Sequence, residues 1–191
     1  MKNRAIALII TMMVGAGLTV YNYTGESITL PNGTVIETSQ LLEHETKHYA
    51  KRALKNTDSL TIWVHHTAVS SSASIEAINN YHVKHNGWPR IAYHSAIEPD
   101  GDILILNHLS TISYHTKNQN TKGISIVLLG NYNEDEITQK QLKSLKQITE
   151  ALCTILPIKA IKGHRDSKHS NTTCPGNKAY KKLKHELFFN N

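Results

Sequence analysis

The run Lys122–Tyr132, KGISIVLLGNY, constrains this chain more than any other stretch. From Ile124 to Leu129 it carries aliphatic residues broken only by Ser125, with no polar alternation. A strand of that kind is buried on both faces and needs a packed layer on each side. A second run, LTIWVHHTAV over Leu60–Val69, is also β-prone. Its pleat puts Ile62, Val64 and His66 on one face and Trp63, His65 and Thr67 on the other. Between the two lie a helical stretch, Ser72–Trp88, stopping at Asn86-Gly87, and two strand-like runs in IAYHSAIEPDGDILIL about the turn Pro99-Asp100-Gly101. A helix over Thr138–Leu156 and a short strand in IKAIKGHRD follow. Strands and helices interleave and one hairpin adds antiparallel pairing. The expected fold is therefore α/β (α+β): a single domain with a central mixed β-sheet flanked by helices.

The ends divide the rest. MKNR precedes AIALIITMMVGAGLTV, an uncharged run after a basic start, which has the layout of an export signal and is short for a stable membrane span. Residues 1–20 are expected to be a signal peptide or a membrane anchor, with any tether formed by residues 5–20, so the body works outside the cytoplasm: exported to periplasm, cell envelope or medium. Residues 21–56 form an extension, with two β-prone runs about Asn32-Gly33 and a polar helix in SQLLEHETKHYAKRALKN. The main domain is placed at 57–185.

The chain has 191 residues, 39% hydrophobic and 19% charged, which suits one globular core. Lysine and arginine exceed aspartate and glutamate, 21 to 15, so a polyanion is a natural partner. The basic residues are scattered and no arginine-rich helix marks a nucleic-acid surface, so no nucleic-acid partner is expected. Two cysteines exclude a disulfide framework. Cys153 falls in a helical pattern with Leu142, Leu145, Ile148, Leu152 and Ile155 and reads as a small buried hydrophobe.

Cys174 is different. GHRDSKHSNTTCPG, Gly163–Gly176, sets a histidine and a thiol ten positions apart in a polar loop leaving a strand end. Catalytic zinc takes three protein ligands from donors such as imidazole and thiolate and keeps one position open. A lone pair of this kind, without CxxC spacing, is more often incidental than metal-binding; read as ligands, His164 and Cys174 supply two, and the His65-His66 pair is the best source of a third. His169 as a fourth ligand would make the site purely structural.

WVHHTA, GWPRIAYHSAIEPDG, ISYHTKN, ISIVLLGNY and GHRD…TTCPG, in this order, resemble the zinc-dependent N-acetylmuramoyl-L-alanine amidases, the type shared by phage amidase-lysozymes, bacterial wall amidases and peptidoglycan recognition proteins. The likeness runs from Leu60 to about Tyr180. It implies zinc as cofactor on His65, His164 and Cys174, with His66 a packed or hydrogen-bonded neighbour. It implies Tyr93 and Thr172 as catalytic residues that stabilise a developing oxyanion, and His94 and His115 as substrate-binding residues near a groove. The implied reaction is hydrolysis of the amide between N-acetylmuramic acid and L-alanine of the peptidoglycan stem peptide, by a protein expected to be a monomer. The alternative is a non-catalytic peptidoglycan-binding module, though that branch typically lacks the third ligand. A zinc peptidase would share the metal chemistry, yet no HExxH occurs. His82, His85 and His108 read as surface residues, and Asp166 as a cap of its loop or a partner of Arg165. Two departures stand out: Val127 occupies a position where some bacterial relatives carry a glutamate that assists proton transfer, and Asn107 stands where many recognition proteins have arginine.

Overall fold

A computed structural model of the chain describes residues 8–14, 17–23, 27–29, 35–37, 49–53 and 59–190. In the main domain, β1 (Leu60–His66), α1 (Ile75–Asn80), β2 (Ser95–Ile97), β3 (Ile103–Ile105), β4 (Gly123–Leu128), α2 (Gln139–Ile155), β5 (Ile158–Gly163), α3 (Asn177–Glu186) and the two-residue β6 (Phe189–Asn190) follow in order. A π-helical turn, Tyr81–His85, extends α1, and a 3₁₀ turn, His164–Asp166, follows β5. The sheet order is β6-β5-β1-β4-β2-β3. β1 pairs in parallel with both β4 and β5, β2 in parallel with β4, while the β2–β3 hairpin and β6 are antiparallel. This is the mixed sheet expected.

Parallel neighbours on both sides make β1 central, and every residue of β4 is buried. One face of the sheet, through Ile62, Val64, Ile124, Ile126 and Leu128, packs with Leu142, Leu145, Ile148 and Leu152 of α2 and with Ala179 and Leu183 of α3. Thr138 starts α2: its hydroxyl accepts from the Gln141 N–H and Gln141 returns a bond to the Thr138 backbone, a reciprocal cap. Val127 lies in a second apolar cluster with Ile75, Ile91, Ala96, Leu106 and Leu129. Cys153 corrects the sequence expectation: it is exposed on α2, one residue beyond the buried Leu152. At 100° per residue, that single step carries a side chain off the buried stripe.

The amino-terminal strands Leu8–Val14, Gly17–Tyr23, Ser27–Thr29 and Val35–Glu37 pair as an antiparallel meander. Its last two strands sit where the β-prone runs about Asn32-Gly33 were expected. Residues 1–7 and 15–16 of the expected export segment and 39–48 and 54–56 of the expected helix lie outside the described residues. Tyr49–Ala53, expected as part of that helix, is extended instead. Lys51 bridges Thr111, the Arg52 N–H donates to the Ser110 carbonyl (2.8 Å) and the Ile112 N–H to the Ala50 carbonyl (2.8 Å). The Arg52 guanidinium also donates to the carbonyls of Asn120 (2.9 Å), Leu109 (2.8 Å) and Gly123 (3.1 Å). Tertiary hydrogen bonds of this number override local helix propensity.

Candidate metal centre

The parallel register builds the site. Val64 of β1 is paired with Gly163 of β5, so His65 and His164, the next residue of each strand path, emerge side by side at the carboxyl ends. Crevices beyond the carboxyl ends of parallel strands are where ligands bind in open α/β sheets. The imidazole centroids of His65 and His164 are 4.6 Å apart.

The polar loop brings the thiol back. The Arg165 N–H donates to the Cys174 carbonyl (3.0 Å), and the Arg165 side chain donates to the Thr173 carbonyl and to Asn177 Oδ1 (3.0 Å). The Cys174–Pro175 peptide is cis. Gly176 then takes φ of 94°, where a Cβ would stand 2.3 Å from the Tyr132 carbonyl carbon, so only glycine fits this close approach. Cys174 Sγ ends 3.7 Å from His65 Nδ1 and accepts the His66 N–H at 3.4 Å. One donor atom from each of His65, His164 and Cys174 lies within 4.8 Å of the others, and among the described residues no fourth His, Cys, Asp or Glu joins them. His169 is exposed and outside the group.

Burial is nearly complete for His65, at 1% exposure, and for Cys174, at 8%. Burial first, then His164 and His115, holds the His65 imidazole well below its usual pKa, and burial pushes the Cys174 thiol up to about 12. Neutral imidazoles are the ligand form, and a coordinated thiol is deprotonated outright. Two nitrogens and one sulfur with an open side fit zinc in a catalytic arrangement. Thr116 Oγ1, 3.4 Å from His65 Nε2, engages the nitrogen of that ring turned away from Cys174, and Ser170 Oγ lies 3.0 Å from His164 Nε2.

A cavity of about 270 Å³ opens over the cluster, lined among others by Tyr93, His82, Trp88, Tyr114, His115 and Thr172. Tyr93, half-buried, stacks obliquely on His65 with centroids 5.3 Å apart. Burial, then Cys174 and Tyr49, raises its phenol pKa, so the hydroxyl stays protonated as a donor. Asn107 braces the Tyr93 backbone by donating to the carbonyls of Ile91 (2.8 Å) and Tyr93 (2.7 Å). Thr172 is exposed at the rim and accepts the Cys174 N–H at 3.1 Å, so a turn bond and a place on the cavity wall coexist.

The structure thus gathers His65, His164, Cys174, Tyr93, His115 and Thr172, and leaves His94 out. His94 is fully buried, Nδ1 2.9 Å from Ser125 Oγ and Nε2 3.0 Å from the Thr111 carbonyl. With both ring nitrogens engaged away from the cavity it belongs to the packing, which corrects its expected place in a groove. His82 reverses the other way: it is buried, lines the cavity and accepts the Ala92 N–H at 3.2 Å. Its position seven residues after Ile75 and four after Ile78 puts it on their inward face, a signal present in the sequence. His85 and His108 are exposed as expected. His66 is the expected hydrogen-bonded neighbour, its Nδ1 accepting the Tyr132 N–H at 3.2 Å. Asp166 caps its loop, accepting from the Gly163 N–H (2.9 Å) and the Tyr180 hydroxyl (2.6 Å).

A family model described as N-acetylmuramoyl-L-alanine amidase, Amidase_2, matches residues 55–177. Peptidoglycan-recognition protein SC2 of Drosophila melanogaster is 29% identical over 145 residues, 71% of this chain and 77% of that protein. Among solved structures, the N-acetylmuramoyl-L-alanine amidase LysC of Clostridium intestinale matches with a TM-score of 0.62 and 29% identity, over 74% of this chain and 94% of that one. The recognition protein PGRP-SA of Apis mellifera, at 20% identity, shares the fold with a TM-score of 0.69 over 80% of this chain and 96% of its own. The chain belongs to the N-acetylmuramoyl-L-alanine amidase family.

Proposed function

We propose that this protein is a zinc-dependent peptidoglycan hydrolase that cleaves the amide between N-acetylmuramic acid and the L-alanine of the stem peptide. The observation that carries the reading is the convergence of His65, His164 and Cys174, two imidazoles and one thiol, beneath a cavity walled by Tyr93. Bound zinc supplies Lewis acidity toward a carbonyl oxygen and brings the pKa of water toward about 7.

The chain's own residues do the rest. Tyr93, kept protonated by burial, donates to the carbonyl oxygen as negative charge grows there, and the Thr172 hydroxyl at the rim can add a second donor. Trp88, Tyr114 and His82 wall the cavity and hold the muramoyl peptide by apolar contact and hydrogen bonding. Val127 lies in the apolar cluster, so no carboxylate takes up a proton from that position, and the Tyr93 hydroxyl relays the proton given up by the attacking water to the leaving amine nitrogen as the C–N bond breaks. The uncharged run after the basic start supports export, with activity in the envelope or beyond. Among the described residues no helix is long and apolar enough to cross a membrane.

Mass spectrometry of purified peptidoglycan digested by the full-length chain, with and without chelator, tests the whole reading. The expected result is a free L-alanine amino group that disappears with chelator and returns with zinc. A different new amine identifies a peptidase, and binding without any new amine identifies a recognition protein; either outcome refutes the proposal.

A further inference from the structure

The two ring nitrogens of His65 face different partners. Nδ1 looks to Cys174 Sγ at 3.7 Å, while Nε2 looks to Thr116 Oγ1 at 3.4 Å. Thr116 Oγ1 in turn lies 2.9 Å from His115 Nδ1. We propose that Thr116 is a positioning residue for the metal centre, its hydroxyl holding His65 in the tautomer and orientation that offer Nδ1 to the ion. The inference rests on the zinc reading above and adds a residue to it.

The order of donors follows from valence. A neutral imidazole has one N–H and one lone pair, so a ring that gives its Nδ1 lone pair to a cation carries its proton on Nε2. At 1% exposure that N–H has no water to meet, and Thr116 Oγ1 is its oxygen partner among the described residues. Having accepted from Nε2, the Thr116 hydroxyl has its own proton free for His115 Nδ1, 2.9 Å away, which requires the His115 ring to carry its proton on Nε2. Hydrogen bonds from the outer nitrogen of a ligand histidine fix ring orientation and raise ligand basicity.

Thr116 is built to stay put. Its side chain is buried, its N–H donates to Asn120 Oδ1 (2.8 Å), and its carbonyl accepts the Gln119 N–H (2.9 Å). The Asn120 carbonyl is one of those bound by Arg52, so the extended segment 49–53 secures the loop that carries Thr116. His115 cannot retreat from the hydroxyl either. Its ring packs on Gly123 so tightly that a Cβ there would stand 2.5 Å from Cε1. His115, expected from the sequence as a substrate contact, thus has a second place behind His65.

The test compares full-length wild type, Thr116→Val and Thr116→Ser by chelator competition for zinc, with thermal melts of each metal-free protein and detection of the His65 Nε2–H by NMR in the zinc-loaded form. Valine keeps the shape and loses the hydroxyl; serine keeps the hydroxyl. Expected are a roughly 10- to 100-fold weaker zinc affinity for the valine variant, a metal-free melting temperature lowered by the lost buried hydrogen bonds yet still a cooperative transition, loss of the protected Nε2–H signal, and recovery of both affinity and melting with serine. Zinc binding by Thr116→Val as tight as wild type overturns the inference, as does a serine variant as weak as the valine one. If the valine variant does not fold, serine's affinity and Nε2–H signal decide: both retained supports the role, either lost ends it. A wild type that binds no zinc refutes the functional reading itself, a result distinct from all of these.

Discussion

The corrected position of His94 has a measurable consequence in acid. Burial holds its imidazole near a pKa of about 3, against 6.5 for an ordinary histidine. Above pH 6.5 both folded and unfolded forms are neutral there and the residue adds no pH dependence. As pH falls below 6.5 the unfolded chain takes up a proton that the folded one refuses, so stability is lost progressively until about pH 3. One proton corresponds to about 1.4 kcal/mol per pH unit, so the step from pH 6.5 to pH 5 removes roughly 2 kcal/mol through this residue alone. The perturbation is His94→Gln, which preserves a polar side chain but cannot charge. At pH 7 it forfeits a hydrogen bond to Ser125 Oγ or to the Thr111 carbonyl and leaves that buried group unpaired, costing about 1–3 kcal/mol. Wild type then loses its advantage as the solution is acidified. Urea unfolding at pH 7, 6 and 5, in chelator so that metal linkage is absent, should show the gap between the two proteins narrowing by roughly 2 kcal/mol. Parallel stability curves over that range would refute the claim that His94 is buried neutral.

Other outcomes follow from the same geometry. Tyr93→Phe should reduce kcat on peptidoglycan by about 10²- to 10³-fold with zinc affinity unchanged, read from steady-state kinetics beside chelator competition. Asn107→Leu frees the carbonyls of Ile91 and Tyr93 and should lower kcat and melting temperature together, at a cost of about 1–3 kcal/mol in stability. Gly123→Ala places a methyl against His115 and should destabilise by about 1–3 kcal/mol in denaturant titration, with weakened zinc binding as well. Either His65→Ala or Cys174→Ala should abolish chelator-sensitive hydrolysis; full activity in either variant removes that residue from the centre.

Patterns along the chain were enough for the layered sheet and singled out His164 and Cys174, while the full donor set came from the resemblance carried by five ordered motifs. The apolar run Ile124–Leu129, short and rich in β-branched residues, reads as a strand covered on both sides, and the thiol of Cys174 in a loop of polar residues marks that loop as a candidate ligand source. These inferences depend on composition and period within a few residues, which is information a sequence holds locally. The five ordered motifs extended it to particular residues, and the structure brings His65, His164 and Cys174 within 4.8 Å of one another.

What the tertiary structure alone decided is which polar groups end up facing each other. His94 left its expected surroundings because burial depends on what packs from elsewhere: Ser125 and the Thr111 carbonyl claim its two ring nitrogens. Tyr49–Ala53 became extended because carbonyls far along the chain accept from Arg52. Thr116 gained a role from a histidine 51 positions away. A hydrogen bond acts over about 3 Å of space and takes no account of separation along the chain, so no local pattern encodes it.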